Sequence, residues 1–152
     1  MIQLEELVPI LEELGVAKAV GFETLSGGSG ATFRLELADG TSLILKDFSD
    51  QKTSPAHDAH VARLLWDQNV AATRYLMVDE SRSRLPFPFA ITTYVAGRTV
   101  IDFEGHADYG TLFEQMGSLA RKLHSISLPG FGTFPRLQFR HNAEYVRELF
   151  DY

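Results

Sequence analysis

A glycine-rich turn followed by a short hairpin is the feature that most constrains this chain. Residues 26–31 read Ser-Gly-Gly-Ser-Gly-Ala, and the strand pattern after them turns at Asp39-Gly40 and returns to Lys46. Glycines let several backbone N–H groups approach one anion, because no β-carbon blocks the way, and a strand on each side fixes the loop. Lysine adds a point charge for phosphate oxygens. The segment therefore predicts a phosphate-binding hairpin.

The Asp39-Gly40 dipeptide predicts a two-residue turn, and such a turn fixes the pairing of the two strands. Phe33 then pairs with Lys46, and cross-strand partners share a face of the sheet. The apolar residues predicted on the face of Lys46 are Phe33, Leu35, Leu37 and Ile44. An unpaired ammonium there would cost on the order of several kcal/mol, so we expect a carboxylate or a bound phosphate close to it.

Two other interpretations of this segment stay open. Lys46 could lie at the margin of the sheet with its ammonium in water. Gly-Gly-Ser-Gly could be a flexible link, since the loop lacks the Gly-Lys-Ser/Thr ending of a P-loop.

Composition and charge restrict the possible functions only broadly. The 152 residues are 45% hydrophobic and 22% charged, which is typical of a globular protein with one domain or slightly more. The net charge of −6 argues against a nucleic-acid partner and is compatible with a cationic ligand. No cysteine and no apolar stretch of membrane-spanning length are present, so we expect a cytoplasmic protein without a disulfide scaffold or membrane contact.

The order of elements predicts an α+β fold. An amphipathic helix at residues 4–14 comes first, and strands follow at 19–25, 32–38 and 42–48. Ser54 and Pro55 are typical of a helix start, and that helix is predicted to end near Asn69. Two further strands, at 74–79 and 89–95, complete a five-stranded antiparallel sheet within residues 1–96.

Residues 97–152 are predicted to be a linker followed by helices. Residues 109–126 carry one apolar stripe, and residues 142–152 are predicted to start another helix. The stripe consists of Leu112, Met116, Leu119 and Leu123. An apolar stripe of this width predicts an exposed patch and self-association of the chain.

This order resembles the N-terminal lobe of a protein kinase and, more narrowly, the aminoglycoside phosphotransferase family. The resemblance rests on four segments in order over about 120 residues. These segments are the glycine loop continuing to Leu35, Lys46, the run Thr-Thr-Tyr-Val-Ala-Gly-Arg-Thr at 92–99, and Leu-Ala-Arg-Lys-Leu-His-Ser-Ile at 119–126. The last two look most like enzymes that phosphorylate the 3′-hydroxyl of kanamycin-type antibiotics.

The resemblance implies a role for each matching residue. The loop residues that would cover the triphosphate of ATP or GTP are Gly27, Gly28, Ser29, Gly30 and Ala31. Lys46 would bind the α- and β-phosphates and pair with Asp58, where the family usually has a longer Glu. Thr93 and Val95 would present backbone groups to the adenine edge, and Thr92 would line the pocket behind it. The loop also looks one residue short beside the family pattern.

The family's catalytic loop, His-Gly-Asp with an Asn five residues later, does not occur in these 152 residues. The family holds Mg²⁺ and orients the acceptor hydroxyl with that loop and a later Asp. The aspartates after residue 97 are Asp102, Asp108 and Asp151, and none has these neighbours. We therefore expect the ATP-binding portion of a small-molecule kinase, with no catalytic residue or Mg²⁺ ligand of its own and inactive as this chain alone. The alternative is a stand-alone nucleotide-binding or interaction protein derived from a kinase lobe.

Overall fold

The structure, a computed structural model, describes residues 2–26, 30–98, 108–130 and 141. The chain divides into two compact units, Met1–Gly97 and Arg98–Tyr152, and each is described by itself. The first unit contains α1 (Leu4–Glu13), β1 (Ala19–Leu25), β2 (Thr32–Leu37), β3 (Ser42–Asp47), α2 (Pro55–Asp67), β4 (Tyr75–Asp79) and β5 (Phe89–Thr93). Its strands form one antiparallel sheet in the order β1-β2-β3-β5-β4. The predicted α+β fold with a five-stranded antiparallel sheet is confirmed.

Helix α1 covers one face of the sheet. Its apolar positions Leu7, Ile10 and Leu11 are fully buried, as the stripe of leucines predicts. The helix ends at Glu13, and Gly15 follows its C-cap Leu14 with a φ of +67°, the left-handed conformation that glycine adopts without a Cβ penalty. The N–H of Val16 then bonds to the carbonyl of Leu11 at 3.2 Å and turns the chain towards β1.

The core lies between α1 and the sheet. Alternate residues of the central strands point to this face, as the two-residue period of a strand requires. The sheet residues of the core are Leu35, Leu37, Leu43, Leu45, Phe89 and Ile91. With α1 they form one apolar cluster, so the opposite face of the sheet is left for other chemistry.

The predicted pairing of β2 with β3 is wrong by one residue. Lys46 pairs with Thr32, and Leu45 pairs with Phe33. The N–H of Leu37 bonds to the carbonyl of Thr41 at 2.9 Å, so the loop has three residues instead of two. Gly40, with φ of +83°, occupies the left-handed position that ends a three-residue hairpin.

One extra loop residue moves every side chain of the returning strand to the other face. Lys46 therefore lies on the face of Thr32, Arg34 and Ile44, opposite the apolar core. The predicted apolar neighbours Phe33, Leu35 and Leu37 lie on the core face. Lys46 thus has polar neighbours and partial access to solvent.

Helix α2 packs beside β4 on the face of the sheet that carries Lys46. Ser54 caps it, since its hydroxyl accepts a hydrogen bond from the N–H of His57 at 3.2 Å. Pro55 occupies the first turn and is buried. The predicted start of this helix is confirmed, and the cap fixes which side chains of its first turns point at the sheet.

In the second unit, the structure describes α3 (Tyr109–His124). Its apolar residues Phe113, Met116, Leu119 and Leu123 are exposed. Self-association through this stripe stays a prediction. The helix predicted at 142–152 lies outside the described residues. Within the described part of the chain, no helix is long and apolar enough to cross a membrane.

Candidate nucleotide site

A pocket of about 280 Å³ lies on the face of the sheet opposite α1. Its volume is near the lower end of the range of about 300–1,000 Å³ that is usual for ligand sites. Its walls come from all five strands and from the segments next to β4 and β5: Leu25, Thr32, Ile44, Lys46, Thr73, Tyr75, Thr92, Thr93, Tyr94 and Val95. Lys46, Thr92, Thr93 and Val95, which the resemblance assigns to nucleotide binding, are thus brought together in one pocket.

Lys46 is the cation of this pocket, and its side chain is 28% exposed. Its Nζ lies 3.8 Å from Oδ2 of Asp58 on α2 and 5.1 Å from the centre of the Phe48 ring. The expected pair with Asp58 is therefore formed, although the face expected for Lys46 is wrong. A separation of 3.8 Å is longer than a charge-assisted hydrogen bond of about 2.7–2.9 Å, so the ammonium has N–H groups left for another anion.

Tyr75 is a third member of this polar group that the sequence interpretation missed. It lies at the start of β4, pairs across the sheet with Thr92, and lines the same pocket as Lys46. Burial raises the pKa of Tyr75 to about 12, and the charge of Asp58 and a hydrogen bond to that carboxylate act in the same direction. The phenol of Tyr75 therefore stays neutral beside Asp58.

We expect one of the five tyrosines to ionise near pH 12 because of this environment. The folded pKa of Tyr75 lies above its ordinary value of 10.0, so its contribution to stability is complete below pH 10 and is lost as the pH rises towards 12. Ultraviolet titration of tyrosinate in the wild type and in Tyr75→Phe measures this. If the late-titrating phenol persists in Tyr75→Phe, the assignment to Tyr75 is wrong.

Thr92, Thr93 and Val95 form the wall of the pocket at the end of β5. Thr92 is buried at 1% exposure, and its hydroxyl bonds to the carbonyl of Thr93 at 3.4 Å. The N–H of Thr93 donates a hydrogen bond to the carbonyl of Arg74 at 2.9 Å. Val95, two residues past the strand, makes no backbone hydrogen bond within the described residues, so its N–H and C=O can serve a base edge.

The glycine loop is described only at its end, since Gly27, Gly28 and Ser29 lie outside the described residues. Ala31 is tied to β3, because its carbonyl accepts the N–H of Asp47 at 2.8 Å. A Cβ at Gly30 would lie 2.9 Å from the carbonyl oxygen of Asp47 and 2.7 Å from Nε2 of Gln51. Only glycine fits at this position. The close contact fixes the end of the loop against Asp47, the residue that follows Lys46 in β3.

Arg34 connects the hairpin to the wall formed after β5. Its guanidinium lies 4.6 Å from the centre of the Tyr94 ring, 3.4 Å from Oε1 of Glu23 and 3.2 Å from the hydroxyl of Ser42. Such a stack is typical of arginine on aromatic rings. The predicted pair of Phe33 with Lys46 would put Arg34 and Lys46 on opposite faces of the sheet, whereas the three-residue loop puts them on the same face. The contact of Arg34 at this wall was therefore not anticipated.

The described residues contain no group of three or more His, Cys, Asp or Glu side chains that could hold a metal ion. The pocket thus offers a cation for phosphates and backbone groups for a base, but Mg²⁺ finds no set of ligands in this part of the structure. We therefore assign no step to a metal.

The fold is that of a kinase-like phosphotransferase lobe. It resembles the crystal structure of an aminoglycoside phosphotransferase candidate from Ralstonia eutropha JMP134, with a TM-score of 0.64 and 19% sequence identity. The match covers 84% of this chain and 39% of the other, so the chain spans well under half the length of that neighbour. No curated protein matches the sequence.

The sequence profile of the phosphotransferase enzyme family (APH) matches residues 21–152. The chain therefore belongs to this family, and the resemblance seen in the glycine loop, Lys46 and the later segments is confirmed.

Proposed function

We propose that this chain is the ATP- or GTP-binding portion of a small-molecule kinase that transfers the γ-phosphate to a hydroxyl group. The observation that carries the proposal is the pocket in which Lys46 lies beside Asp58, with the end of the glycine loop held next to it. The family match supports the same chemistry. Phosphate oxygens are the anions for which such a cation and loop are suited.

In this proposal, the base and the phosphates of the nucleotide occupy two different parts of the pocket. The base is placed against Ile44, Thr92 and Val95, where apolar walls meet an unused backbone edge. The phosphates extend past Lys46 towards the glycine loop, whose end is fixed by the bond between Ala31 and Asp47. Asp58 lies 3.8 Å from the ammonium of Lys46, and the neutral phenol of Tyr75 lies beside Asp58.

The acceptor is proposed to be a cationic small molecule. The chain carries a net charge of −6, and the structural neighbour is described as an aminoglycoside phosphotransferase candidate. The acidic net charge and the description of the neighbour both agree with a polyamine-like acceptor. In this proposal the acceptor binds to residues outside the nucleotide pocket. The chain then works in the cytoplasm, where ATP and GTP are available, and Mg²⁺ acts only in a complete enzyme that carries its ligands.

Nucleotide titration by calorimetry tests the proposal. We expect weak but saturable binding of ATP or GTP, and little gain on adding Mg²⁺, since the described residues offer no metal ligands. Lys46→Ala is expected to weaken binding at least tenfold, because the cation nearest the phosphates is lost. Lys18→Ala, an exposed lysine outside the pocket, is the matched control and should bind as the wild type does.

A flat titration of the wild type at millimolar nucleotide would remove the proposal. Equal binding by Lys46→Ala would instead show that nucleotide binds elsewhere on the chain.

A further inference from the structure

The first unit carries a second groove that the proposed nucleotide site does not explain. It has a volume of about 440 Å³ and lies between α2 and β4. Its lining comprises Ala59, Ala62, Arg63 and Trp66 of α2 together with residues 73–78. We refer to it as the α2–β4 groove. Only Thr73 and Tyr75 border both this groove and the nucleotide pocket.

The groove follows the free edge of the sheet. Strand β4 is the last strand in the order β1-β2-β3-β5-β4, and among the described residues it pairs only with β5. Successive side chains of a strand point to opposite faces, so a pocket on one face would be lined by every second residue. Four consecutive residues of β4, at positions 75–78, line this groove together with Thr73 and Arg74, so the backbone edge of the strand contributes to its wall.

This edge carries no lysine or proline to prevent strand pairing, although its pairing with β5 shifts register between Tyr75 and Met77. Natural proteins protect free edges with lysine, proline or inward-pointing charges. Strand β4 reads Tyr-Leu-Met-Val-Asp, with four uncharged residues in a row. The other edge strand, β1, carries Glu23, which is paired with Arg34. The backbone edge of β4 that follows the groove is therefore carried mostly by uncharged residues.

The groove is positively charged although the whole chain is acidic. Arg63 and Arg74 line it, both are exposed, and neither forms an ion pair within the described residues. Trp66 stands beside them with 51% of its surface exposed. Guanidinium groups bind carboxylates with two parallel hydrogen bonds, and an exposed tryptophan next to unpaired arginines is typical of an interaction site.

We propose that the α2–β4 groove binds an extended, acidic peptide segment of another protein, which adds to β4 as a sixth strand. The unpaired backbone groups of β4 supply main-chain hydrogen bonds, as in other cases of strand addition. Carboxylates of the segment meet Arg63 and Arg74, and its apolar side chains cover Trp66, Ala62 and Val78. Strand β4 has five residues, so a segment of about five to seven residues fills the edge. The site goes beyond nucleotide binding and does not depend on it.

The single tryptophan of the chain reports directly on this groove, because Trp66 lines it. The probe is an unlabelled seven-residue peptide with blocked ends, in which aspartate alternates with valine and phenylalanine. We expect it to shift the emission of Trp66 to shorter wavelength in a saturable way as water is displaced. The same peptide with lysine in place of aspartate should give no shift, and neither should an acidic peptide whose backbone nitrogens are methylated.

Charge reversal on the protein tests the role of the arginines. Arg63→Glu with Arg74→Glu is expected to weaken binding of the acidic peptide at least tenfold, whereas Arg82→Glu, an exposed arginine outside the groove, should leave it unchanged. Circular dichroism verifies that each variant is folded. If the double variant does not fold, the single Arg74→Gln change and the methylated peptide decide the question.

Three results would overturn the proposal. One is the absence of any emission change at millimolar acidic peptide, and another is equal binding of the lysine peptide. The third is an emission shift that grows with protein concentration without peptide, together with dimers in sedimentation, since that would assign the groove to a second copy of this chain.

Discussion

Replacing Phe89 by alanine is expected to lower the free energy of unfolding by about 3–5 kcal/mol, the range found for a buried phenylalanine. Phe89 is completely buried at the start of β5, where it pairs with Asp47 of β3 and Asp79 of β4. Its ring packs in the core cluster with Leu45 and Ile91. Removal of the ring leaves a cavity between α1 and the centre of the sheet, and the surrounding strands cannot close it without breaking their ladders.

Such a loss is a large part of the total stability of a small domain, which is about 5–15 kcal/mol. Urea unfolding followed by circular dichroism measures it, and the midpoint should fall while the slope stays constant. Val20→Ala is the matched control on the same sheet, because Val20 is 56% exposed and its removal creates no cavity. A loss for Phe89→Ala no larger than that of the control would show that the core is not packed around this ring.

The fold could be predicted from local patterns wherever those patterns decide the structure. The alternation of apolar residues gives the strands, and Ser54 with Pro55 gives the start of α2, because a cap is a contact between residues three apart. The order of the last two strands in the sheet depends on contacts between β3 and β5, which are 42 or more residues apart along the chain. No local pattern contains that information.

The register of the β2–β3 hairpin shows more clearly what local sequence patterns cannot predict. Asp39-Gly40 is compatible with a two-residue and with a three-residue loop, and the choice depends on whether Gly40 ends the turn in the left-handed conformation. The sequence interpretation expected the shorter loop and so placed Lys46 among apolar residues. An anion was expected beside Lys46 because of apolar neighbours that it does not have. The anion is nevertheless present, because α2 packs on the same face and supplies Asp58.

The candidate site was predictable only as far as sequence motifs extend. Lys46, Asp58, Thr92 and Val95 follow from the family resemblance. Tyr75 and the stack of Arg34 on Tyr94 do not, because each joins residues that are distant in sequence and belong to no motif. Polar groups that hold other polar groups in place are therefore the part of a site that sequence patterns reveal last.

The second large effect that we expect is a complete absence of phosphoryl transfer by the 152-residue chain, with any acceptor. Transfer requires a carboxylate or an equivalent group to orient the hydroxyl and ligands that hold Mg²⁺ across the β- and γ-phosphates. Positioning and charge stabilisation provide nearly all of the catalysis in this reaction. The chain contains no His-Gly-Asp sequence, and its described residues contain no metal-binding group.

Incubation of the purified chain with ATP, Mg²⁺ and a panel of aminoglycosides checks this expectation, with product measured by mass spectrometry against a control without protein. Fusion to a family segment that carries His-Gly-Asp and the following Asn is expected to produce transfer, and Lys46→Ala in that fusion should remove it. The fusion separates two causes of inactivity, because inactivity of both the chain and the fusion would point to the nucleotide pocket instead of the missing carboxylates. Turnover by the unfused chain would mean that Asp102, Asp108 or Asp151 orients the acceptor, and the assignment of this chain to nucleotide binding alone would then be wrong.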